Sequence, residues 1–452
     1  MKKISADTIV LITGLLFSCL VVMALPSMYF QPDMHVFWDW SEPWNAGWRA
    51  VYLTCSTCNY PMLGMFFSAG LMGLFRAAGL GFDDAVFRYR LLLAFVDGSN
   101  ILLVFWVLKR LQVRRAAFLA GLTGVLISSW AGAALWGQID GFSQFFILCC
   151  LAWIVTKNTS ARSWDRYYRL YLAAGAALLA GLLLTKQLTI FSAASIGLLL
   201  LADVVFHSRA LKPFLLNVAV SLAAFGAALL GWDLFLLLKP PYAFHLVYIW
   251  QEGIFQSGIL SGNGFNIWML LGRDMWSSAH VPILAGFPFT NPYLLGELLF
   301  LALSGLLTLS LGLFAWRRFQ NGETRLSPEV LLNFILYLAL INLCFNVFLS
   351  GTRERYLYHF YPFILIAWAG LASYSRLFSA RMRLALILGS TFYGLFVLQI
   401  LNGVEIRILP VSATHMLLSV IHLALFAGLF SVSLRYQELA PNIRRLFKAG
   451  RP

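Results

Sequence analysis

Apolar runs of about twenty residues recur down the chain, separated by short polar stretches, and that rhythm predicts helices. A membrane span needs about 20 mostly apolar residues. Stretches near 8–29, 89–108, 116–135, 141–156, 170–185, 188–206, 213–238, 293–316, 328–350, 356–375, 384–401 and 411–433 meet that length. Residues 62–80 are apolar as well, and their status sets the topology. If they cross, Lys109, Arg110, Arg114 and Arg115 fall outside, against the positive-inside rule. Read as an amphipathic helix lying along the outer surface, they leave a count of about twelve. The expected fold is therefore an all-α polytopic membrane protein with about 12 transmembrane helices, one integral membrane domain over 1–452. Residues 30–88 form a long first extracytoplasmic loop with a juxtamembrane surface helix. Residues 239–292 form a second long loop.

Composition agrees. The chain is 60% hydrophobic and 12% charged, against about 25% charged residues in ordinary soluble domains, and its mean hydropathy is +0.78. The net charge of +14 raises nucleic acid as a partner. Its distribution argues otherwise, because most Lys and Arg lie in short segments that the topology places in the cytoplasm: 2–3, 109–115, 157–169, 209–212, 317–325, 376–383 and 435–451. The basic excess is an orientation signal, with both termini expected in the cytoplasm and no nucleic acid required. The Met1-Lys2-Lys3 start with its apolar run reads as an uncleaved first helix, since no small-residue cleavage site follows. This start and the short inner loops point to a bacterial inner membrane.

Acids sort to the other side: Asp33, Asp39, Glu42, Asp83, Asp84, Asp140, Glu252, Asp274, Glu354 and Glu405 all lie outside or at the outer interface. Long loops in compact proteins are usually functional, so the chemistry is expected there. Cys55 and Cys58 in the first outer loop form a local disulfide or stay free thiols; a zinc half-site would need a second pair.

Several polar stretches converge on the outer side. The first holds Asp33, His35, Asp39 and Glu42 among tryptophans, followed by Asn59-Tyr60-Pro61. The second is Trp136-Gly137-Gln138-Ile139-Asp140, and the third Thr185-Lys186-Gln187. Asn263 and Asn266 lie in the second loop, and Arg353-Glu354-Arg355-Tyr356 with His359 close the series. Each has a plain structural reading. Interfacial Trp and Tyr are usually belt anchors, Asp140 suits a helix N-cap, and Arg353-Glu354-Arg355 suits a salt-bridged loop. Lys186 is harder to dismiss, because a lysine near hydrocarbon is costly and tends to mark a substrate path.

The ordered series from about 33 to 360 resembles the GT-C membrane glycosyltransferases, nearest to bacterial relatives of the second GPI mannosyltransferase. It departs from them at Asn59-Tyr60-Pro61-Met62, where relatives commonly have Asp-Tyr-Pro-Pro, and at Arg353, where they commonly have His. These departures bear on acceptor and sugar identity. The resemblance implies inverting, mannosyltransferase-like transfer of one sugar from a polyprenyl-phosphate donor to a lipid-linked or glycan acceptor. An attacking hydroxyl needs a carboxylate to take its proton. Asp33 is the expected base, with Asp39 and Glu42 in reserve. A leaving lipid phosphate needs cations placed in advance, and Lys186, Arg353 and Arg355 are the expected set. His35, Tyr60, Gln138, Asp140, Asn263, Asn266, Glu354 and His359 are expected on the sugar or acceptor. No Asp-x-Asp pair occurs; no cofactor is expected, and a divalent metal is optional. Membrane lipids are the remaining partners. The rival class is a lipid or sugar transporter (a flippase), which would show internal repeats and mid-membrane binding groups.

Overall fold

The computed structural model describes residues 5–47, 51–55, 57–161, 164–208, 210–237, 258–402 and 411–439. The start of the expected second loop, with Glu252, lies outside the described residues, as do Glu405 and residues 440–452. Among the described residues the chain is α-helical, with no strand beyond isolated bridges. Nine helices among them are long and apolar enough to cross a membrane, or ten if one bent pair counts as a span. The protein is a multi-pass α-helical membrane protein.

The chain divides into two compact units. The first holds α1 (Ala6–Ala24), α2 (Gln31–Gly47), α3 (Met62–Ala77), α4 (Phe82–Arg110), α5 (Ala116–Val125), α6 (Ile127–Leu135), α7 (Asp140–Thr159) and α8 (Tyr168–Leu183). It also holds α9 (Ile190–His207) up to Leu200, and α10 (Leu211–Leu237). The Ser5 hydroxyl caps α1 by accepting from the Thr8 amide, and Pro26 lies just past its end. Backbones meet closely where α1 packs on α5: a Cβ on Gly121 would lie 2.2 Å from the Val10 carbonyl oxygen. Only glycine fits there. In α4, Asp83 and Asp84 open the helix and Lys109 and Arg110 close it, the arrangement a helix dipole favours. Its buried Arg90 donates to the carbonyls of Leu25 and Pro26, just past the end of α1, and of Ala134 in the last turn of α6.

Between α5 and α6 the axis bends by 68° at Leu126, whose backbone is extended. The Trp130 indole N–H donates to the Val125 carbonyl at 3.1 Å, replacing a helical bond lost in the bend. The last turn of α6 is a π-helix, and another π segment, Phe66–Gly70, interrupts α3. At sixteen residues, α3 is shorter than a span. It packs its Met65, Ala69 and Met72 into a core with Met34, Phe37 and Tyr89.

The second unit contains α11 (Pro292–Gln320), α12 (Pro328–Phe348), α13 (Tyr361–Leu371), most of α14 (Ala380–Asn402) and α15 (Val411–Tyr436). Every residue of α12 from Val330 on is buried. Two expected spans are short helices: α8 has 16 residues and α13 has 11. At 1.5 Å per residue, α13 reaches about half of the roughly 30 Å apolar core. The residues before it, Glu354–His359, form a 3₁₀ turn.

Candidate active site

Helix phase sorts the three acids of α2. Met34, Phe37, Trp40 and Ser41 are buried on one face of α2. His35, Asp39 and Glu42 fall on the opposite, exposed stripe, at the i, i+4, i+7 spacing of one helix face. The His35 ring stacks on Phe82 at 4.2 Å, and Glu42 pairs at 3.4 Å with Arg76 at the surface. Asp33 is half-buried on the inward side.

There the Asp33 carboxylate meets the tip between α6 and α7. Its Oδ2 accepts from the Trp136 indole N–H at 2.7 Å and from the Gln138 amide. Gly137 makes this tip. Its φ of +96° suits glycine, and a Cβ would sit 2.5 Å from the Met34 sulfur. The Phe30 amide donates to the Trp136 carbonyl, and their rings stack at 4.5 Å. Two donors on one oxygen hold the carboxylate plane in a single orientation.

From Gln138 the contacts continue. Its Oε1 accepts from the Tyr60 hydroxyl at 3.1 Å, and the Tyr60 carbonyl accepts from Tyr52 at 2.7 Å. The Gln187 amide donates to the Asn59 carbonyl. Lys186 reaches both carboxylate oxygens of Asp140 at 2.9 Å, with side chains 4% and 1% exposed, and its ammonium lies 5.8 Å from the Tyr60 ring centroid. The Gly64 amide donates to the Leu184 carbonyl, seating α3 against this turn. Three separate stretches (the first loop, Trp136–Asp140 and Thr185–Gln187) thus form one cluster. Its depth follows from α4: Gly98 abuts the carbonyl of Leu15, the middle residue of α1. Asn100 donates to the Gly141 carbonyl at 2.9 Å, so the start of α7 lies level with the middle of α1. At the start of α4, the Tyr29 hydroxyl donates to Asp83 at 3.0 Å. Burial and that carboxylate push its pKa up. Cys55 and Cys58 form a disulfide.

The remaining stretches form a cluster within the second unit. The Gly262 and Gly264 amides donate to the Thr352 carbonyl. Asn266, fully buried, donates to the Leu260 and Leu349 carbonyls and to the Thr352 hydroxyl. Trp268 donates to the Phe348 carbonyl at 2.7 Å. Asn263 holds a φ of +73°, and its carbonyl is 3.0 Å from His415 Nε2. Glu354, Arg355 and His359 are buried, with Arg355 3.7 Å from Glu354. Arg353 is half-buried, and its guanidinium makes no ion pair among the described residues.

Several expected ligand-binding side chains are therefore engaged by the protein itself: Tyr60, Gln138, Asp140, Lys186, Asn266 and the Glu354–Arg355 pair. Trp136 and Tyr89 were not singled out from the sequence. Trp136 stands in a quoted motif, whereas Tyr89 carries no sequence signal. Among the described residues, no group of three or more His, Cys, Asp or Glu is placed to hold a metal ion. Compared with known proteins, the chain matches no family model and no curated protein.

Proposed function

We propose that the protein is an inverting GT-C type glycosyltransferase, mannosyltransferase-like, using a polyprenyl-phosphate sugar and a lipid-linked or glycan acceptor. The observation that carries this reading is the Asp33 carboxylate, held by Trp136 and Gln138 beside a buried polar cluster. In the proposed reaction Asp33 takes the acceptor hydroxyl proton as its oxygen attacks the anomeric carbon. The bond to phosphate breaks on the opposite face, and its electron pair leaves with the phosphate, inverting the centre. Arg353 and Arg355 are proposed to receive that charge by charge-assisted hydrogen bonds. Lys186 joins them only where phosphate displaces Asp140. Asp39 and Glu42 drop behind Asp33 because they sit on the exposed stripe of α2.

The proposed topology has twelve spans, with α8 and α13 completing the count and α3 on the outer surface. Both termini are then cytoplasmic and the site extracytoplasmic, in a bacterial inner membrane. The Cys55–Cys58 disulfide supports this orientation, since disulfides persist in oxidising compartments. The deciding experiment follows sugar transfer from polyprenyl phosphomannose by purified wild-type protein and Asp33→Asn. Loss of transfer with donor binding retained is expected. A folded variant turning over near the wild-type rate removes Asp33 as base.

A second reading, a lipid or sugar transporter, is favoured by the bent α5–α6 pair and the ion pair level with mid-α1, because transporters place broken helices and binding groups at mid-membrane. Flux of a labelled lipid-linked sugar across proteoliposomes, without glycosidic bond formation, would select it.

A further inference from the structure

The hydroxyl of Tyr89 is the strongest unexplained group near the Asp33 cluster. Tyr89 is fully buried on α4, and its oxygen has no hydrogen-bond partner among the described residues. Several contacts fix its place. The Phe37 ring meets Tyr89 at 6.1 Å and Tyr60 at 5.9 Å, so the two tyrosines flank one ring. The next residue, Arg90, bonds the Ala134 carbonyl, two residues before Trp136. Tyr89 also lies within electrostatic reach of Asp33, Asp140 and Tyr60. A buried hydroxyl left unpaired destabilises the fold, and a phenylalanine would fill the same space without that cost.

We infer that the Tyr89 hydroxyl is a ligand-binding group whose partner arrives with a bound sugar, hydrogen-bonding one of its hydroxyls next to Asp33. The inference rests on the glycosyltransferase reading and deepens it, adding the Tyr89 hydroxyl on α4 to the groups that meet a sugar beside Asp33. Asp33 and Tyr89 would give the polar contacts. A hydroxyl of either the donor sugar or the acceptor glycan has this chemistry.

The test uses full-length wild-type protein and Tyr89→Phe in nanodiscs. It reads the melting temperature without ligand and the affinities for polyprenyl phosphomannose and for methyl α-mannoside. The variant is expected to melt at or above the wild-type temperature, because it removes an unpaired group. It is also expected to bind at least one probe about two- to tenfold more weakly, the worth of one net hydrogen bond. The phosphomannose alone weakening assigns the hydroxyl to the donor, and the glycoside weakening assigns it to the acceptor side. Equal affinities for probes that the wild type does bind overturn the inference, leave the enzyme reading standing, and make an ordered water the only partner. A lower melting temperature in the ligand-free variant also overturns it, since the hydroxyl then has a partner within the fold. Wild-type protein that binds neither probe removes the glycosyltransferase reading and this inference with it.

Discussion

The Asp33 cluster and the Gly262–Arg355 cluster look alike in sequence and differ in what their side chains hold. Around Asp33, side chain bonds to side chain: Trp136 and Gln138 to Asp33, Tyr60 to Gln138, Lys186 to Asp140. Around Thr352, side chains mostly bond to backbone: Asn266 to Leu260 and Leu349, Trp268 to Phe348, Asn346 to Arg353. Bonds between side chains are only about 10–15% of those in folded proteins, so the first pattern is the less common. Backbone-directed side chains staple a loop in place. A network of side chains orients chemical groups. The difference fits the proposed reactivity at the first cluster and a scaffolding role for most of the second.

The largest expected effect comes from the reacting group itself. Asp33→Asn should lower turnover by about 10²–10⁴, the usual worth of a general base, whereas Asp39→Asn should stay within a few-fold. Transfer assays on both variants check it. Equal losses in the two would break the division of α2 into an inward and an outward face.

Next is the buried pair. Lys186→Met leaves the Asp140 carboxylate buried without its cation, which typically costs about 3–5 kcal/mol. The matched double variant, Lys186→Met with Asp140→Leu, should recover most of that, because a well-packed apolar pair is often as stable. Thermal unfolding of the three proteins in one detergent measures it. No loss in the single variant would mean that water or lipid solvates Asp140, and the first cluster would be looser than described.

Within the second cluster, two substitutions should part ways. Asn266→Ala removes bonds to three loop groups and should cost about 1–3 kcal/mol of stability, with donor affinity unchanged per folded molecule. Arg353→Met should leave stability nearly as it was and weaken donor binding several-fold, since a hydrogen bond to a charged group is worth about 1.5–3 kcal/mol. Melting temperatures and donor titrations separate these outcomes. The same response in both would make the whole cluster scaffold.

Much of the helical architecture was legible because apolar run length reports it directly, as at α1, α4, α11 and α12. The bend at Leu126 was not, since its neighbours include no proline and the run 116–135 stays apolar through it. The turn residues of the site could be read as motifs. Their partners could not: Asp33 and Trp136 lie 103 residues apart, and Lys186 and Asp140 lie 46 apart. Linear spacing carries no information about such pairs until the helices pack. Only the resemblance ranks Asp33 ahead of Asp39 and Glu42 in the sequence; spacing separates them once 31–47 is a helix, because a loop has no fixed phase.

The smallest expected effect is at Glu42, where the outward face of α2 is tested alone. Glu42 is paired with Arg76 at 3.4 Å, its side chain 75% exposed and that of Arg76 36% exposed. Water and salt screen such a pair, and exposed ion pairs contribute about 0–1 kcal/mol. The Arg76 guanidinium also lies 5.1 Å from the centroid of the Trp38 ring, a contact that survives loss of the carboxylate. Glu42→Gln should therefore shift the melting temperature by no more than a degree or two and leave transfer unchanged at low and high salt. A loss of turnover like that of Asp33→Asn would move the chemistry to the exposed stripe of α2. The bonds from Trp136 and Gln138 to Asp33 would then be scaffold, like those of the second cluster.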